Sequence, residues 1–159
     1  MKTILTTLLI LATFQLAAQD YYEERTAKLP SAEPTTCINV GILQGGGSLV
    51  GADLEVLLSD HFGAQIGGGL VGFGGGLNFH FKPGLRSSFL SVQYWNQGIG
   101  NSFTQNLIGP NFVYRSKKWF TFQIGFGAIL DVNEENNIYE EGRIPDVILT
   151  YAIGAYFPW

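Results

Sequence analysis

From residue 119 to residue 130 the chain alternates between two kinds of side chain with a period of two. Phe120, Phe122, Ile124, Phe126, Ala128 and Leu130 fall on one side, and Thr121, Gln123, Gly125, Gly127 and Ile129 on the other. Successive residues of an extended strand point to opposite faces, so this pattern predicts a strand with one bulky apolar face and one polar or very small face. The pattern recurs at the C-terminus, where Val147, Leu149, Tyr151, Ile153, Ala155 and Phe157 alternate with Ile148, Thr150, Ala152, Gly154 and Tyr156. Over 49–58, Val50, Ala52, Leu54, Val56 and Leu58 alternate with Gly51, Asp53, Glu55 and Leu57. Over 77–82, Leu77, Phe79 and Phe81 alternate with Asn78, His80 and Lys82. Weaker alternation marks 37–43, 62–71, 89–96 and 103–115. The expectation is an all-β chain of about eight strands.

Which face is inside decides the fold. In a soluble sandwich the bulky face points inward and the polar face meets water. Here the second face is crowded with glycine, which makes up 21 of 159 residues, well above the ~7% of an average chain. Glycine weakens strands, so its repetition needs a cause. A narrow closed barrel supplies one. Eight strands enclose an interior just wide enough for side chains, so inward residues must be small, or polar and mutually paired. The bulky face then turns outward to lipid. Closure is compulsory in that setting, because an open edge would leave backbone groups without water. The predicted fold is a closed, antiparallel, up-and-down transmembrane β-barrel.

Composition agrees. The chain is 46% hydrophobic and only 14% charged, against roughly 25% charged for an average domain. Beyond the N-terminus it has no unbroken apolar run long enough for a membrane-spanning helix. Lys2, an apolar stretch over 4–16 and the small pair Ala17-Ala18 predict a signal peptide over 1–18, cleaved after Ala18. Residues 19–36 are polar, charged and proline-bearing, a flexible lead-in. Residues 37–159 form the barrel domain. The formal net charge of −4 argues against nucleic acid as a partner. Cys37 is the single cysteine and has no internal disulfide partner.

Predicted connections alternate in kind. Short turns fall at 59–61, 82–88 and 116–118; generally longer loops fall at 44–48, 72–76, 97–102 and 131–146. Short periplasmic turns and longer outer loops suit an outer-membrane barrel. Phe62, Phe81, Phe89, Tyr114, Trp119, Phe120, Phe157 and Trp159 cluster at the predicted turn end, where an interfacial aromatic girdle would lie.

The last residues, Gly154-Ala155-Tyr156-Phe157-Pro158-Trp159, place Gly154, Phe157 and Trp159 in a glycine, aromatic, aromatic spacing at the end of the chain. This resembles the terminal strand signature of bacterial outer-membrane β-barrel proteins, which the barrel-assembly machinery recognises. Leu57-Leu58-Ser59-Asp60-His61-Phe62-Gly63 is similar to a common periplasmic turn of small barrels of this type. The resemblance covers 37–159 in pattern and the last six residues as a motif. It implies an eight-stranded barrel among outer-membrane lipid and lipopolysaccharide, and no particular activity.

Folding the predicted hairpins on their turns sets Glu55 opposite Gln65, and Gln65 opposite Lys82. Asp53 falls opposite Gly67, and Gly67 opposite His80. The expectation is a lumenal polar network of Asp53, Glu55, Gln65, His80 and Lys82, extended by Arg115, Gln123, Gln93, Gln105 and Asn111. Buried charges need partners in any case, so the structural reading is preferred over a narrow ion path. His80 with Asp53 and one of Ser87, Ser88 or Ser91 raises an acyl hydrolase or transferase acting on membrane lipid, without a motif to support it. Asp131, Glu134, Glu135, Glu140, Glu141 and Asp146 make an acidic loop, read as solvated rather than as a cation site. Gly45-Gly46-Gly47 and Gly74-Gly75-Gly76 lack the Lys-Ser/Thr of a phosphate loop and are read as loop tips. No cofactor, metal or catalytic residue is expected. The preferred reading is a non-enzymatic outer-membrane barrel with a filled or narrow polar lumen, structural or surface-recognising. The alternatives are the lipid-modifying enzyme and a small, porin-like conducting pore. A soluble lipocalin-like barrel is disfavoured, because eight strands lack room for that many inward Phe side chains plus a ligand.

Overall fold

The computed structural model describes residues 33–98, 104–132 and 144–159. The strands run in chain order: β1 (Thr36–Ile42), β2 (Gly51–Leu57), β3 (Phe62–Gly69), β4 (Gly72–His80), β5 (Phe89–Gly98), β6 (Thr104–Arg115), β7 (Phe120–Val132) and β8 (Val147–Pro158). A short helical turn, α1 (Gln44–Gly47), lies between β1 and β2. Each strand pairs antiparallel with the next, and β8 returns to pair with β1. The chain is a closed eight-stranded β-barrel.

The orientation follows the glycine argument. Phe126 and Leu149 are exposed on the outer wall, at 58% and 54%, while Gln123 and Glu55 are buried inside, at 4% and 0%. The parity holds along β2, where Gly51, Asp53 and Glu55 are buried and Leu54 and Val56 are exposed. It holds along β8, where Thr150, Ala152 and Tyr156 point inward. β7 keeps the parity until a register shift opposite Asn106 and Leu107. There Asn106 faces Asp131 while Leu107 faces Ile129, so Leu130 is an extra residue. A one-residue bulge reverses the alternation. Leu130 and Asp131 are accordingly both exposed, and Val132 turns inward.

Two expectations need correction. The β3–β4 hairpin turns at Leu70-Val71, with Gly69 facing Gly72. Residues 72–76 are therefore strand, not loop, and Gly74-Gly75-Gly76 is not a loop tip. The whole β3–β4 register moves with them: Gln65 faces Gly76 instead of Lys82, and Gly67 faces Gly74 instead of His80. Lys82 lies beyond the end of β4, half-buried in the next turn, where its backbone N–H donates to Ser87 Oγ. Phe89 belongs to the interior rather than to an outer girdle.

The seam that closes the barrel is β1 against β8. Gly41 faces Gly154 across it. A Cβ on Gly154 would run into the Val40 carbonyl, and one on Gly41 into the Ile153 carbonyl. Close backbone approach at this point requires glycine on both sides. Gly154→Val is expected to lower stability by about 1–3 kcal/mol, the usual cost of overpacking. The measurement is the midpoint of urea unfolding in detergent micelles; an unchanged midpoint would show that the seam has slack.

Candidate functional site

The lumen is the site to which the inward side chains of all eight strands contribute. Its centre is Glu55 on β2, fully buried. Glu55 Oε1 accepts from Asn78 Nδ2 at 2.5 Å and from His80 Nε2 at 3.0 Å. Glu55 Oε2 accepts from Arg115 Nη2 at 2.5 Å. The same guanidinium donates to the Leu85 carbonyl at 2.6 Å and to Asn39 Oδ1 at 3.1 Å. Its flat faces are used as well, with the Phe89 ring centroid at 4.8 Å and that of Tyr156 at 5.0 Å. A buried carboxylate is tolerable only when paired and hydrogen-bonded, and this one has three donors. The contact from His80 is a hydrogen bond whatever its protonation, provided Nε2 carries the proton.

Asn78 extends the cluster. Its amide also donates to Gln65 Oε1 at 2.9 Å, and its carbonyl oxygen accepts from Ser91 Oγ at 2.6 Å. Six strands, β1 to β6, thus contribute polar side chains to one connected network. His80 Nδ1 and Arg115 Nε are buried without a protein partner among the described residues.

Of the predicted network, Glu55, Gln65, His80 and Arg115 meet here. Asp53, one inward position further along β2, does not join them. Its Oδ2 accepts the backbone N–H of Gly45 at 3.1 Å. A Cβ at Gly67 would collide with Asp53 Oδ1. The space left by Gly67 is used by Asp53 itself, not by a reach across to His80. Gln123 lies beyond the cluster in a reciprocal amide pair with Gln93, at 3.0 and 3.3 Å, and Trp95 Nε1 donates to Gln93 Oε1 at 2.8 Å. Asn111 and Gln105 are likewise inward, Asn111 accepting from Thr150 and Gln105 donating to Gln97, both at 2.6 Å.

Both ends are closed by the chain itself. At the turn end, Leu85 folds inside and packs with Cys37 and Tyr156. The Tyr156 hydroxyl donates to the Ser116 carbonyl. At the loop end, α1 folds inward, and Gln44 to Gly47 are buried rather than forming an outer tip. Its backbone is left-handed at Gly45, Gly46 and Gly47, a conformation that glycine adopts without strain. The wall beneath it is also glycine. A Cβ on Gly74 would come within 3.1 Å of Gly46 Cα, and one on Gly69 would press on the Ser48 side chain. Ser48 Oγ donates across to the Gly72 carbonyl at 3.2 Å.

The predicted hydrolase constellation is not assembled. His80 engages Glu55, not Asp53. Ser91 Oγ donates to Asn78, Ser87 Oγ to the Ser88 carbonyl, and Ser88 Oγ accepts the Arg115 backbone N–H. Among the described residues no group of three His, Cys, Asp or Glu is placed to hold a metal ion. Glu134, Glu135, Glu140 and Glu141 of the acidic loop fall outside the described residues. In the C-terminal signature, Gly154 lies at the seam, and Phe157 and Trp159 are exposed. Comparison with protein-family models, with curated proteins and with solved structures finds no match.

Leu85, Phe89 and α1 were not anticipated as parts of the interior. Tyr156 has inward parity in its strand, so the pattern holds the signal for it. Leu85 is an apolar residue in a Pro-Gly turn, a weaker one. Arg115→Met is expected to cost about 3–5 kcal/mol, because Glu55 loses its main counter-ion and stays buried. The double variant Arg115→Met, Glu55→Gln is expected to be more stable than Arg115→Met alone. Urea midpoints for the two single variants and the double, read as a cycle, check this; strict additivity would mean the pair is not coupled.

Proposed function

We propose that this chain is a non-enzymatic integral outer-membrane β-barrel, exported by the signal peptide 1–18, with its lumen filled by its own side chains. Its role is structural, or recognition through the loops of the outer face. One observation carries the reading: an apolar belt surrounds the barrel. Each strand exposes large apolar side chains, among them Ile42, Leu54, Ile66, Leu77, Val92, Ile108, Phe126 and Leu149. Ile66 and Leu77 are each 67% exposed. Soluble monomers rarely expose contiguous apolar patches beyond a few hundred Å². In water such a belt loses about 25 cal/mol for every Å² left wet. Hydrocarbon removes that penalty and demands a closed sheet with no free edge.

The filled lumen supports the structural role over conduction. Charged and amide side chains are bonded to one another along the barrel, and the chain closes each end. Outer-membrane lipid and lipopolysaccharide are then its surroundings. The barrel-assembly machinery would be its partner during insertion, reading Gly154, Phe157 and Trp159.

Phe126 sits near the middle of β7 and separates membrane from water as an environment. Phe126→Arg is expected to destabilise a lipid-facing site by about 2–4 kcal/mol, whereas a solvated surface position would change by less than about 0.5 kcal/mol. Refolding titrations of wild type and variant in phospholipid vesicles measure the difference. A small effect, together with recovery of the wild type in an aqueous periplasmic extract, would refute the membrane reading. Conduction is tested separately. The purified protein in a planar bilayer is expected to give the current of bare lipid; discrete steps that vanish in Glu55→Gln would assign a pore instead.

A further inference from the structure

Outside the lumen, the Lys and Arg residues of the described chain are Lys82, Arg86, Lys117 and Lys118. All four lie on two neighbouring turns at one end of the barrel, between β4 and β5 and between β6 and β7. Arg86 ties those turns together: its Nη1 donates to the Lys117 carbonyl at 3.0 Å and to the Lys118 carbonyl at 3.3 Å. The arrangement gathers a guanidinium and two exposed ammonium-bearing residues at one spot of the rim. Among the described residues of the turns at this end, Asp60 carries the acidic side chain. The Asp60 turn is adjacent, its carbonyl accepting the Gly84 N–H at 3.1 Å. The opposite end is acidic. Asp131 and Asp146 lie there, and the connection they flank carries in sequence four Glu and one Arg.

We infer that this cationic rim binds the phosphate of an anionic glycerophospholipid in the leaflet on the turn side, an inference that rests on the membrane reading above. Exposed cations on one rim attract an anion brought beside them. The aromatic surroundings distinguish a lipid from a soluble anion. Trp119 directly follows Lys118 and is exposed, as is Phe81, which directly precedes Lys82. Phe81 packs near Phe112 with ring centroids 6.2 Å apart. Charge therefore ends and apolar wall begins within one residue on both turns. A lipid presents its phosphate and its acyl chains across the same step, and amphipathic aromatics favour that level. Each surface cation near an anionic leaflet adds to the attraction.

The test uses the full chain in phosphatidylcholine vesicles, with Trp159→Phe so that Trp119 is the tryptophan facing lipid and Trp95 remains inside. Brominated phosphatidylglycerol and brominated phosphatidylcholine are compared at equal fraction as quenchers of tryptophan fluorescence. Phosphatidylglycerol is expected to be preferred at Trp119 on the order of tenfold. Lys117→Gln with Lys118→Gln is expected to bring the preference to near one, and so is high salt. Asp131→Asn with Asp146→Asn, at the far end, is expected to leave it unchanged. Equal quenching by both lipids, or a preference that survives Lys117→Gln with Lys118→Gln, overturns the inference while leaving the membrane reading intact. Loss of the preference in excess inorganic phosphate overturns the lipid assignment in favour of a soluble anion site. Quenching by neither lipid overturns both readings.

Discussion

The structure turns on how little space eight strands enclose. A barrel of this size has an interior only about as wide as the side chains that fill it. Inward side chains can therefore meet residues from across the barrel as well as neighbours on adjacent strands. That is why Arg115 on β6 can reach Glu55 on β2 and Asn39 on β1 within hydrogen-bonding distance. It is also why glycines accumulate. Where a side chain leans over the neighbouring strand, that strand must recede, as Gly67 on β3 does for its partner Asp53 on β2.

The same constraint explains the inward turn α1. A short segment can enter the lumen only if both it and the wall lack side chains. Gly45, Gly46 and Gly47 meet that requirement from the segment, and Gly69, Gly72 and Gly74 from the wall. Neither run of glycines is intelligible without the other. Asp53 then fixes the segment by a single charge-assisted bond to the Gly45 N–H, a kind of bond stronger than its neutral counterpart. At the opposite end the closure is apolar, through Leu85, Cys37 and Tyr156. The two ends are sealed by different chemistry, because the loop end meets Asp53 while the turn end is already crossed by Arg115.

Much of this was legible in the chain itself. Period-two alternation gave the strands and, through the glycines, which face is inside. Inward parity put Glu55, Gln65 and His80 in one expected network, with Arg115 as an extension of it, and these four meet in the structure. What failed was register where glycine runs made strand look like loop. A stretch such as 72–76 has no side chains to alternate, so periodicity is silent there, and the β3–β4 pairing slipped with it. Lys82 was drawn into the network by that slip. The partner that actually faces the cluster from β4, Asn78, has inward parity but gives no charge to attract notice. Closure by Leu85 and α1 lay beyond reach for another reason. Turns have no periodicity, and their direction is set by the cavity they fill.

Charge divides the molecule more sharply than hydrophobicity does. Inside, Glu55 on β2 is paired with Arg115 on β6 and bonded to His80 on β4, so its charge is compensated within the lumen. Outside, among the described residues, the cations gather on two turns tied by Arg86, and Asp131 and Asp146 lie at the other end. An evenly apolar belt does not by itself choose which way a barrel faces. An uneven distribution of charge above and below the belt can, because the two ends then differ in their energy beside an anionic surface. Seated in a membrane as proposed, this barrel would have Lys117 and Lys118 at one rim and Asp131 and Asp146 at the other to bias its orientation.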